Sequence, residues 1–138
     1  MLDLDYIVIK TLFKSLSGIK VGDLKKFLNL PHSTLGSCIK RLKERGYVNY
    51  EPYHEVYLIS RGIMLAKELN RHSRLLEVLL FNELGLSHEE AHKESEKFSL
   101  LLSCDTINKI CEKYEHPKAS PCGVLILSTS ECVCEEKH

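Results

Sequence analysis

Residues 31–48 read PHSTLGSCIKRLKERGYV, and the rest of the chain is organised around them. Leu35, Ile39 and Leu42 fall four and three residues apart, which lays one apolar stripe along a helix. His32, Ser33 and Thr34 open this helix, Lys40, Arg41, Lys43 and Arg45 project from its other faces, and Gly46 supplies a stop. Just upstream, residues 21–30 (VGDLKKFLNL) predict a shorter amphipathic helix, with Asn29, Leu30 and Pro31 as the turn. Two short helices joined by a tight turn, the second small and polar at its start and basic towards its end, make the helix-turn-helix pattern. Small side chains at that start let the backbone approach base edges and phosphates, while Lys and Arg neutralise phosphate charge. For this helix taken alone, a solvated basic face is the plainer alternative.

The residues after Gly46 favour the helix-turn-helix. Residues 47–50 and 56–59 are β-branched and aromatic runs, separated by Glu51, Pro52, Tyr53, His54 and Glu55, and predict a hairpin with a polar, Pro-bearing tip. A helix-turn-helix leading directly into a hairpin is a winged helix.

At 138 residues, 43% hydrophobic and 28% charged, the composition is that of an ordinary globular protein. No apolar run approaches the roughly 20 residues of a membrane span, and no basic segment with an apolar core opens the chain, so a cytoplasmic location with no membrane partner is expected. The net charge is zero, but residues 1–59 carry nine Lys and Arg against six Asp and Glu, and residues 60–138 carry ten against thirteen. A basic front half is suited to a polyanion and an acidic back half is not. Six cysteines without a secretory signal favour thiols or metal ligands over disulfides.

Residues 2–16 predict a largely buried first helix ended by Ser17 and Gly18, and residues 19–21 a short β-bridge onto the wing. Ser60 is placed as an N-cap of one long helix, or two in line, over residues 61–83. Leu75, Leu76, Leu79, Leu80, Phe81 and Leu84 make it apolar on several sides, which calls for burial on several sides and points to a second subunit. Gly85 and Leu86 break it, Ser87 and Glu90 form a capping box for a helix running to Leu102, and Ser103 caps a last helix ending near Glu115. Residues 119–123 predict a loop, and residues 129–138 a polar, Cys-bearing tail. The fold class is mainly α: a winged helix-turn-helix with a small β-wing over residues 1–60, a helical dimerisation domain over 61–116, and a loop and tail over 117–138.

With these elements in order, the chain resembles the diphtheria-toxin-repressor and manganese-transport-regulator family of metalloregulators over about residues 3–126. The resemblance rests on Asp5-Tyr6-Ile7, on Tyr50-Glu51 through Leu58-Ile59-Ser60-Arg61-Gly62, on Leu75-Leu76-Glu77 with Leu84-Gly85-Leu86, on His92 in GLSHEEAH, and on Ser120-Pro121-Cys122-Gly123. It implies a homodimer with paired winged helices that represses metal-uptake genes when a divalent ion is bound, and within these 138 residues the SH3-like third domain of longer members is not expected.

Carried over residue by residue, the family's regulatory site retains Asp5 on the first helix and Glu96 after the capping box. Val8, Ser99 and Leu100 stand where further ligands would be, and His72 lies one position from the family His, which falls on Ser73. The ancillary site retains Glu77 and His92, again with Ser73 in place of the first ligand. Carboxylates with water suit Mn²⁺ or Fe²⁺. For Glu77, His92 and Glu96 a charged, solvated helix face is the alternative. Cys122, Cys132 and Cys134, with Cys111 or His116 as a fourth ligand, offer a separate thiolate site for Zn²⁺ or Fe²⁺, beside the alternatives of an unliganded tail and of redox sensing. Cys38, within the recognition helix, is expected to point inward as a small apolar residue.

The expected function is a homodimeric DNA-binding regulator responsive to Mn²⁺ or Fe²⁺, with Zn²⁺ as a further candidate, acting as a repressor on a palindromic double-stranded operator. Ser33, Thr34 and Ser37 would reach base edges or adjacent phosphates, Lys40, Arg41 and Lys43 would neutralise the backbone or support the docked helix, and Tyr53 and His54 on the wing would contact the flanking phosphate or minor groove. The competing readings are a regulator that is metal-independent or responds through thiols or zinc, with a degenerate family site, and a winged helix used for protein contact. No nucleophile–base pair, phosphate loop or dinucleotide fingerprint points to an enzyme.

Overall fold

The computed structural model describes residues 3–98 and 102–126. The chain divides between Ala66 and Lys67 into two compact units. This boundary lies six residues beyond the one drawn at the end of the wing, inside a continuous helix.

In the first unit, α1 spans Asp3–Phe13, α2 Val21–Leu28 and α3 His32–Glu44. α1 is shorter than its apolar pattern: the Lys14 and Ser15 amides bond to the Thr11 and Leu12 carbonyls at 3.1 Å, a tightened turn that ends the helix before Gly18 reverses the chain at φ 104°. α2 ends on Asn29, whose left-handed φ of 53° returns its amide to the helix's last carbonyls. Pro31 then precedes α3 as its N-cap residue, with extended backbone at φ −61°, and its carbonyl accepts from Leu35 N–H at 3.1 Å. The stop after α3 is Gly46 at φ 80°.

The wing is the antiparallel pair β1 (Val48–Asn49) and β2 (Tyr57–Leu58), in the register Val48 opposite Leu58. Ile19 extends it by an isolated bridge to Val56, with both hydrogen bonds at 2.9 Å. Val8, Ile9 and Leu12 from α1, Leu24 from α2, Leu35, Cys38, Ile39 and Leu42 from α3, and Val56 from the wing are buried and make the core.

α4 is one helix, Ser60–Leu84. Ser60, expected as its cap, is its first residue instead; the Ile59 carbonyl accepts the first bond, from Ile63 N–H at 2.9 Å. Gly62 is required here by space: a methyl group in its place would run into the Tyr47 carbonyl. In the second unit, α5 spans His88–Phe98 and α6 Cys104–Lys113. The Ser87–Glu90 capping box is formed, with Glu90 N–H on Ser87 Oγ at 3.1 Å and Ser87 N–H on Glu90 Oε1 at 3.4 Å. Ser103 caps α6 through Thr106 N–H at 3.1 Å. The stretch expected to carry α5 on to Leu102 includes residues outside those described, as does the tail. Leu75 and Leu76 of α4 pack with Ile107 and Ile110 of α6 to form this unit's core, with Leu79, Leu102, Tyr114 and Ile126 around it. Leu84 remains two-thirds exposed, so the helix expected to be buried on several sides is not covered at its end by the described residues.

Candidate metal centre and nucleic-acid interface

α3 separates its faces as the stripe requires. Leu35, Cys38, Ile39 and Leu42 face the core, while Ser33, Thr34, Gly36, Ser37 and Lys40 are exposed on successive turns. Lys43 donates through Nζ to the Tyr50 carbonyl at 2.8 Å, which ties α3 to the wing. At the wing tip Tyr53 is 96% exposed and adopts φ 69°, and His54 is exposed beside it. His32, Gly36, Lys40 and Lys43 line one open cleft with Tyr50 and Pro52 of the wing.

Arg41 differs from the other basic residues. It turns back to the fully buried Asp5 of α1, with Nη2 on Oδ1 at 2.8 Å and Nε on Oδ2 at 3.2 Å. This pairing holds the guanidinium above its ordinary pKa through the hydrogen bond to Asp5, against the opposing effect of burial. Asp5, expected as a metal ligand, thus has both carboxylate oxygens engaged by the recognition helix. Val8, at the position where a further ligand would be expected on this helix, is fully buried in the core.

In the second unit Glu77 of α4 sits beside His92 of α5, Oε1 to Nδ1 at 3.0 Å, and its other oxygen accepts the Cys122 backbone N–H at 3.0 Å. The carboxylate is almost wholly buried, while the His92 side chain is about half exposed. One oxygen, nitrogen and sulfur atom from Glu77, His92 and Cys122 all lie within 4.8 Å of one another. Burial raises the Glu77 pKa, but hydrogen bonds from His92, Cys122 and Ser120 outweigh it and hold the group below its usual range. Removal from water and the adjoining Glu77 carboxylate push the Cys122 thiol up, and Sγ donates to the His88 carbonyl at 3.4 Å. Ser73 and Glu96 line the same small cleft as Glu77 and His92. Ser73, where the resemblance would lead one to expect a His, is buried and donates its hydroxyl to the Leu69 carbonyl one turn back.

The remaining expected ligands are distributed otherwise. His72 is buried beside Glu68 and Cys104. Cys111 Sγ lies 3.2 Å from His116 Nδ1. Cys132 and Cys134 lie outside the described residues. Position along the chain groups Cys122 with the tail thiols and leaves Glu77 and His92 as a pair, whereas the fold brings Cys122 to that pair. The signal that joins them is the Ser-Pro-Cys-Gly loop: a turn at residues 121–122 and the bridge between Ala119 and Leu125 return the Cys122 backbone to Glu77. A carboxylate, an imidazole and a thiol fit a borderline divalent ion, since O, N and S donors together suit Fe²⁺ or Zn²⁺ and the carboxylate also suits Mn²⁺.

A winged helix with an exposed hydroxyl and lysine face, on the same chain as a cluster of O, N and S donors, is the set of parts a metal-responsive DNA-binding transcription regulator requires. Residues 60–128 match the iron dependent repressor metal-binding and dimerisation domain. The chain is 34% identical over 92 residues to an uncharacterised HTH-type transcriptional regulator of Methanocaldococcus jannaschii, covering 67% of this chain and 74% of the relative. It is 27% identical over 112 residues to the HTH-type transcriptional regulator MntR of Lysinibacillus sphaericus, covering 81% and 80% of the two chains. Among solved structures it resembles a manganese-dependent transcriptional repressor in complex with manganese, at 27% identity and a TM-score of 0.78, over 90% of this chain and 58% of that one. The chain belongs to the iron-dependent repressor family, the diphtheria-toxin-repressor and manganese-transport-regulator group, whose members are transcription regulators and not enzymes.

Proposed function

We propose that this protein is a cytoplasmic homodimeric repressor whose affinity for a palindromic operator rises when Fe²⁺, Mn²⁺ or Zn²⁺ is held by Glu77, His92 and Cys122, with Glu96 at the edge of the same cleft. The observation that carries this reading is the convergence of those three side chains within 4.8 Å, on α4, α5 and the following loop of the matched metal-binding domain. A bound ion supplies positive charge and a fixed link among these three segments. The chain's own residues do the rest. Glu77 offers a carboxylate kept ionised by its hydrogen bonds, His92 a half-exposed imidazole, and Cys122 a thiol that releases its proton on ligation.

On the DNA side, Ser33, Thr34 and Ser37 approach base edges, Lys40 and Lys43 neutralise phosphate, and Tyr53 and His54 at the exposed wing tip reach the flanking backbone. Arg41 is assigned a different part, fixing α3 against α1 through Asp5. Two copies of α3 in a dimer would read half-sites about 34 Å apart.

Equilibrium dialysis of the reduced chain tests the metal assignment. Glu77→Gln, His92→Ala and Cys122→Ser should each remove one bound equivalent of Fe²⁺ or Zn²⁺. Undiminished binding in all three variants would remove the cluster from the mechanism.

A further inference from the structure

A second O, N, S cluster lies within the same unit and shares no residue with the first. Glu68 and His72 are four residues apart on α4 and so project from one face of the helix; Cys104 is the first residue of α6. All three are buried, at 2%, 1% and 7% exposure. Cys104 Sγ lies 3.0 Å from Glu68 Oε1 and 3.5 Å from His72 Nε2, and the three ligand atoms are all within 4.8 Å of one another.

We propose that Glu68, His72 and Cys104 form a separate buried centre for a thiolate-seeking divalent ion of the Zn²⁺ class, fastening α4 to α6. A tetrahedral zinc, at about 2.3 Å from sulfur and about 2.0 Å from nitrogen or oxygen, holds its ligand atoms about 3.3–3.6 Å apart. The sulfur–nitrogen separation already has that value, and the sulfur–oxygen pair needs to open by about half an ångström. Two ligands four residues apart on one helix present their donor atoms to a single centre, the spacing that helical His pairs use for zinc. The donor set favours Zn²⁺ or Fe²⁺ over Mn²⁺, because a thiolate and an imidazole outnumber the carboxylate. Polar groups this deeply buried are retained where they are paired or ligate a metal. Three protein ligands leave a fourth position for water or a further donor. The proposal is independent of the assignment of Glu77, His92 and Cys122.

The test uses the full chain with Cys111, Cys122, Cys132 and Cys134 changed to Ser, titrated anaerobically with Co²⁺ as the probe. The expected result is one cobalt per chain, with thiolate-to-cobalt charge-transfer absorption and the visible bands of a tetrahedral ion. Cys104→Ser in this background should abolish the charge-transfer band. Glu68→Gln and His72→Gln keep the thiol, and each should weaken cobalt binding at least tenfold, which decides the matter if the Cys104 variant loses its helical circular dichroism. Absence of the band in the four-Ser chain, its persistence after Cys104→Ser, or unchanged affinity in both Gln variants would overturn the proposal and leave a hydrogen-bonded triad.

Discussion

Asp5 and Arg41 form a two-pronged ion pair between the first helix and the recognition helix, at 2.8 and 3.2 Å, with the carboxylate fully buried. Removing one partner leaves the other charge in a site built for a pair. With Arg41 about one-third exposed, water softens that cost, and Asp5→Asn should destabilise the first unit by about 2 kcal/mol. In a urea-denaturation double-mutant cycle with Arg41→Ala, the coupling should be about 1–3 kcal/mol. Metal stoichiometry should be unchanged in Asp5→Asn, because its oxygens serve the recognition helix.

Gly62 lies in the first turn of α4 against the Tyr47 carbonyl, and the Leu58 side chain is also near the position a Cβ would take. Gly62→Ala cannot be accommodated by a side-chain rotation, since the obstacle is backbone. A loss of about 3 kcal/mol is expected from this overpacking, read as a lowered denaturation midpoint.

Gly36 on the exposed face of α3 has the opposite character, because nothing lies within 4 Å of a Cβ added there. Gly36→Ala should stabilise the free protein by about 0.5–1 kcal/mol through helix propensity alone. It should also weaken operator binding, since the added methyl stands beside Ser33 and Ser37 where the helix would approach DNA. A thermal melt and a DNA titration of the same sample separate the two effects.

Cys38 has its thiol pushed up to about 12 by burial first, then by its hydrogen bond to Asp5 and the charge of that carboxylate, against the opposing charge of Arg41. The folded-state value lies above the ordinary 9.0, so the stabilisation is complete below about pH 9 and is lost as the pH rises towards 12. At pH 8 Cys38 should therefore resist a disulfide reagent in the folded protein and react only on unfolding, while the exposed Cys122 reacts in the native state. Saturating Zn²⁺ should protect Cys122.

The winged helix is legible in the sequence because its signals are local. The stripe of Leu35, Ile39 and Leu42, the stop at Gly46 and the paired β-branched runs each determine their own segment, and the structure has all of them. The capping box at Ser87 and Glu90 is legible for the same reason. The end of α1 is not, since apolar residues continue past Phe13 while the backbone tightens and turns.

The residues proposed to bind ions are legible only in part. Glu77 and His92 stand fifteen positions apart and Cys122 a further thirty, and only the folded loop brings its backbone to the carboxylate. Glu68 and Cys104 carry no sequence signal, because a Glu on a charged helix and a single Cys are each ordinary until packing joins them. Arg41 is like its basic neighbours in sequence, and its tie to Asp5 depends on how α1 and α3 pack.

Control of DNA affinity by an ion at Glu77, His92 and Cys122 is read out by fluorescence anisotropy of the reduced, anaerobic protein on DNA from its own upstream region. The wild type and Glu77→Gln are compared in chelator and then with Fe²⁺, Mn²⁺ and Zn²⁺ in turn. At least one metal should tighten wild-type binding tenfold or more, a coupling of about 1.4 kcal/mol, and should leave the Glu77→Gln protein at its chelator affinity. Tight binding in chelator that no metal alters, or an equal metal response in both proteins, would mean that an ion at this cluster does not control DNA affinity.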